Sequence, residues 1–135
     1  EQAFGKIVDH GLNANKLSVK LLFQPGKVDF WSDRQVSGPY PIWLRQIATR
    51  VSKTEKCVDV IGHTSRSGSE PVNDKLSLAR AQMIKWRLET AAPDLVTRTK
   101  ATGMGFRENV VGSGADDLSD LQDRRVEFKL VPCAN

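Results

Sequence analysis

The 135-residue chain contains no apolar run approaching the roughly 18 residues of a membrane-spanning helix, and no signal peptide stands at Glu1. It also lacks an initiator methionine, so a mature fragment or an excised domain is expected, with any membrane attachment in a segment outside this chain. Cysteine is scarce. Cys57 and Cys133 have neither zinc-finger spacing nor a thioredoxin-type pairing, leaving free buried thiols or one disulfide. There are two histidines, His10 and His63, and neither accompanies a recognisable nucleophile motif, so no enzyme activity is expected and His63 reads as a loop-anchoring hydrogen bonder. No GxGxxG or GxxxxGK[ST] pattern follows a strand; the turn Gly103 to Gly105 resembles a phosphate loop only superficially. No cofactor or metal is called for. The net charge of +4 is scattered, apart from short clusters such as Arg124-Arg125. Without a basic stripe interleaved with aromatics, nucleic acid is not an expected partner.

What is present is the composition of one globular domain, 39% hydrophobic and 27% charged. Residues 1–16 show little pattern and read as a lead-in, with the domain proper over 17–135. Leu17, Val19, Leu21 and Phe23 alternate as a strand does. Gln24-Pro25-Gly26 signals a turn, after which Val28 and Phe30 resume an extended run. Pro41 suits the start of a helix whose stripe is Trp43, Leu44, Ile47, Ala48 and Val51. Cys57 to Ile61 reads as a strand, followed by a polar loop from His63 to Val72. A second helix is expected from about Asp74 to Thr90, burying Leu76, Ala79, Met83, Ile84 and Leu88 and ending before Pro93. A weak strand spans Val96 to Thr102, a long Gly/Asp loop runs from Val110 to Asp123, and Arg125 to Val131 alternates as a half-buried strand. The order predicts an α/β fold: a two-layer sandwich with helices on one face of a mixed sheet.

Arg80 stands out within the second helix. Helical side chains lean toward the helix N-terminus, so Arg80 is expected to reach back over Leu76 toward Asn73, near Thr64 and Ser65, as a surface-facing fork. Backbone amides at a helix start and a guanidinium together suit a carboxylate. An ion pair with Asp116 or Asp117 is the plainer alternative.

Val60-Ile-Gly-His-Thr64, Gly68, Asn73, Leu76-Ser77 and Arg80-Ala81, followed by Gly103-Met-Gly-Phe106 and Arg124-Arg-Val-Glu127, resemble in order and spacing the OmpA-like domain of OmpA, Pal and MotB C-terminal regions. The resemblance covers roughly Leu17 to Val131. It implies non-covalent binding of peptidoglycan through the diaminopimelate of the stem peptide, tethering an envelope protein to the wall. It also implies a periplasmic location, with attachment to the outer membrane through the parent protein. The position of Arg80 would take the free carboxylate of that residue, with Thr64, Asn73 and Leu76 shaping the site. The family's ammonium-binding aspartate is replaced by Ser65, which removes a charge-assisted bond of about 1.5–3 kcal/mol, roughly ten- to a hundredfold in affinity. Asp33, Glu70 or Asp74 are the acids placed to compensate. Phe30-Trp-Ser-Asp33 stands where a Phe-Asp-Phe-Asp-like run is usual, with Trp31 a candidate for the rim of the site. The alternative reading is a degenerate OmpA-like domain that has lost wall binding and serves as a protein-interaction module in an envelope assembly. In the family's sheet the last strand lies antiparallel beside Cys57 to Ile61. The resemblance therefore implies a Cys57–Cys133 disulfide, with both thiols on the face opposite the core.

Overall fold

The computed structural model describes residues 2–64, 70–105 and 125–133. Helix α1 (Gln2–Asn13) leads into strand β1 (Lys16–Lys20); a short helix α2 (Arg34–Ser37) precedes α3 (Tyr40–Lys53). Strand β2 (Cys57–Gly62), helix α4 (Glu70–Ala91), a 3-10 turn (Pro93–Thr97), β3 (Thr99–Gly103) and β4 (Arg125–Val131) complete the order. The sheet runs β1-β4-β2-β3, with β4 antiparallel to both neighbours and β2 parallel to β3.

Register explains the layering. Leu17, Phe128, Val60 and Ala101 form one row across all four strands, and the next row on the opposite face is Lys16, Lys129, Asp59 and Lys100. Because side chains alternate along a strand, the first row faces the helices and the second is left polar. Phe128 and Val60 are fully buried with Leu44, Ile47, Ala48 and Val51 of α3 and Ala81, Ile84 and Leu88 of α4. Burying a side chain of this size contributes roughly 1.5–3 kcal/mol. The predicted two-layer α/β sandwich is the observed one.

Three local expectations are revised. The lead-in is a helix: Val8 and Leu12 of α1 enter the core, Phe4 stacks on Trp43 with centroids 4.9 Å apart, and Arg50 Nε donates to Asp9 Oδ1 at 2.9 Å. The extended run at Val28 and Phe30 yields only an isolated bridge between Phe23 and Phe30, because the Gln24–Lys27 turn brings the chain straight back. Finally, α4 buries Asn73, Ser77, Arg80, Ala81, Ile84 and Leu88, leaving Leu76, Ala79 and Met83 half-buried. Its inner stripe is rotated from the apolar one because the strand ends pack against Ser77.

Cys57 pairs with Val131 across β2 and β4, so Cys133, two residues beyond Val131, returns to the same face. The two are joined in a disulfide, with Cα atoms 4.9 Å apart. This is the bridge that the resemblance implied.

Candidate functional site

The site lies where β2 and β3 end against the first half of α4. Backbone bonds lock the two strand ends together: Met104 N–H donates to Gly62 O at 3.0 Å, and Thr64 N–H to Gly105 O at 2.8 Å. Only glycine fits here. A Cβ at Gly62 would sit 2.3 Å from Ser77 O, and one at Gly103 would sit 2.5 Å from Leu78 N. The strands therefore touch the helix backbone directly, and Ser77 Oγ donates to Asp74 O while accepting from Gly105 N–H at 2.9 Å. This close approach turns Asn73, Ser77 and Arg80 inward.

Thr64 and Asn73 are both buried and both adjoin Gly105. Arg80 lies two helical turns from Asn73, about 10.5 Å along the axis. It is 3% exposed rather than surface-facing. Its Nε donates to Lys27 O at 2.8 Å and its Nη2 to Gln24 O at 3.0 Å, while the guanidinium carbon lies 4.6 Å from the centre of the Phe23 ring. The expectation of an exposed fork is thus corrected: the helix starts earlier than read, and the Gln24–Lys27 turn covers the arginine. Leu76 is half-buried. Asp33 is exposed and caps α2, its Oδ1 accepting from Gln35 N–H at 2.9 Å. Asp74 is half-buried against Gly105. Ser65, Asp116, Asp117 and the Glu70 side chain lie outside the described residues, as do Gly68, Phe106 and Arg124 of the motif set.

His63 is an anchor of the strand end. It is 2% exposed, with Nε2 at 3.0 Å from Glu127 Oε1, and Lys16 Nζ lies 3.6 Å from Glu127 Oε2. The roles of Phe23, Ser77 and the turn carbonyls at this site were not legible in the sequence. The carbonyls could not be found, because backbone acceptors carry no sequence signature; Ser77 was visible only as part of the Leu76-Ser77 pair.

A four-stranded mixed sheet with its helices on one side, and a polar junction built at one end of its parallel strand pair, define an OmpA-like α/β domain. A sequence model of the OmpA family matches residues 22–120, and the chain belongs to that family. Among solved structures, it resembles the peptidoglycan-associated lipoprotein of Burkholderia pseudomallei, at 22% identity and a TM-score of 0.66, over 84% of this chain and 89% of that one. It also resembles the cell wall anchor of the T6SS from Pseudomonas aeruginosa, at 22% identity and a TM-score of 0.67, over 96% and 97%. The periplasmic domain of Helicobacter pylori MotB shares 17% identity at a TM-score of 0.65, over 89% and 74%. At these identities the likeness is one of fold. No curated protein sequence matches the chain. No helix among the described residues is long and apolar enough to cross a membrane.

Proposed function

We propose that the domain binds peptidoglycan without catalysis and tethers its parent protein to the cell wall from the periplasm, at the outer membrane. The observation that carries this reading is the buried stripe Asn73, Ser77 and Arg80, set against Thr64 at the strand ends in a chain of the OmpA family. In it, Arg80 receives the free carboxylate of diaminopimelate in the stem peptide. Thr64 and Ser65 line the ammonium side, and Asn73 and Leu76 shape the wall between them. Asp33 contributes only if the wall fragment extends to the α2 cap. The test is co-sedimentation of the purified domain with sacculi. Ser65→Asp is expected to tighten that binding by restoring a negative charge opposite the ammonium, and the gain should shrink as salt rises. Weaker binding by this variant would show that another acid fills the role.

The burial of Arg80 favours a second reading, a protein-interaction module of an envelope assembly. A guanidinium already holding two carbonyls and a ring has fewer donors to offer a ligand. Failure of the wild-type domain to sediment with sacculi decides for it.

A further inference from the structure

Beside the Gln24–Lys27 turn, the chain from Val28 to Gly38 and the middle of α4 enclose an open groove of about 520 Å³. Phe30 and Trp31 form its aromatic side; Met83 and Arg87 come from α4, and Asp29 and Arg34 from the loop and α2. Two guanidiniums against one carboxylate leave the groove net positive.

Arg87 is the unusual member. It is half-buried, with its guanidinium carbon 5.0 Å from the centre of the Phe30 ring, and its Nε donates at 3.1 Å to Met83 Sδ. A thioether is a weak acceptor for a charged donor. Among the described residues neither Arg87 nor Arg34 has an acidic partner. A merely solvated arginine extends toward water; this one is laid across a ring, which fixes the direction of its fork.

Its placement repeats that of Arg80. Phe23 and Phe30 are bridged, with rings 5.3 Å apart; Arg80 lies over the first and Arg87 over the second. Seven residues separate the two arginines, so they fall on nearly the same stripe of α4, about 10.5 Å apart along the axis. Three residues of extended chain span that distance. A wall fragment seated at Arg80 would therefore have the length to extend to Arg87.

We infer that this groove is a second carboxylate subsite, which takes the free C-terminal carboxylate of the stem peptide whose diaminopimelate lies at Arg80. The inference rests on the wall-binding reading above. Arg87 supplies the fixed fork, Arg34 an exposed second cation at the rim, and Trp31 and Phe30 cover the apolar part of the peptide end.

The test compares a soluble muropeptide having a free terminal carboxylate with the same muropeptide amidated at that carboxylate, by titration calorimetry at fixed salt. Wild type should lose about tenfold in affinity on amidation, the range of one charge-assisted bond. Arg87→Gln should bind the free acid about tenfold more weakly than wild type does, and should no longer distinguish acid from amide. Arg34→Gln, an exposed position, should show a smaller version of both effects and decides the matter if Arg87→Gln does not fold. Wild type binding acid and amide equally, or the variants losing the same factor on amidation as wild type, overturns the subsite and leaves wall binding standing. Wild type binding neither muropeptide overturns both.

Discussion

At position 80, an arginine is held from two directions, by the Lys27 and Gln24 carbonyls and by the Phe23 ring. Removing it strips those acceptors of a charged donor and leaves a void beside Phe23. Arg80→Ala should therefore lower unfolding stability by about 2 kcal/mol and, on the proposed wall-binding function, weaken sacculus binding as well. Urea denaturation checks the first, and a midpoint equal to wild type would place the guanidinium outside the folded-state framework. Asp94 offers a test of a different kind. Hydrogen bonds from Ser52 and then Arg98 hold its carboxyl below the usual carboxylate range. A depressed folded-state value contributes stability above the unfolded value, which is lost as pH falls through the folded one. The exposed, screened position keeps the effect small. Asp94→Asn should lower the melting temperature slightly at pH 7, and the difference from wild type should vanish well below about pH 4. A difference that persists undiminished at pH 2 would assign the effect to packing.

Among the elements, α1 is the least legible. Its apolar residues Phe4, Val8 and Leu12 do recur at helical spacing, but Gly5 and Gly11 interrupt the propensity. Packing on β1 and α3 supplies what propensity lacks. A chain beginning at Asn15 should lose roughly 3–6 kcal/mol from the missing burial of Val8 and Leu12, partly offset by chain entropy no longer lost. A reduced urea midpoint with strand circular dichroism retained is the expected result; an unchanged midpoint would make α1 an ornament on the sheet. In α4 the opposite error occurs, since the apolar stripe was evident and its rotation was not. Gly62 and Gly103 let two strand ends press on the helix backbone, and that contact turned Ser77 inward in place of Leu76.

For the molecule as a whole, the Cys57–Cys133 bridge ties the end of β4 to the start of β2 across a separation of 76 residues. Constraining a loop of that length contributes roughly 4 kcal/mol in the chain-entropy model, which makes the bridge comparable to about two core side chains. Reduction, or Cys57→Ser with Cys133→Ser, should lower stability by up to that amount without changing the sheet. Intact mass under non-reducing, denaturing conditions should show two hydrogen atoms fewer than the dithiol. Two alkylatable thiols in protein produced in an oxidising compartment and purified without reductant would remove the bridge.

By itself the sequence determined the outline of the element order along the chain, the faces of β1, β2 and β4, and the motif set that marks the family. These depend on local periodicity and on backbone positions that few residue types fit, such as the one held by glycine at 62. What the tertiary structure alone decided is where Arg80 points and what holds it. Its acceptors are backbone carbonyls more than fifty residues away, brought to the helix by a turn whose own residues say nothing about that destination. Periodicity records which side of an element is buried; it carries no information about which distant backbone atoms arrive to meet a buried charge.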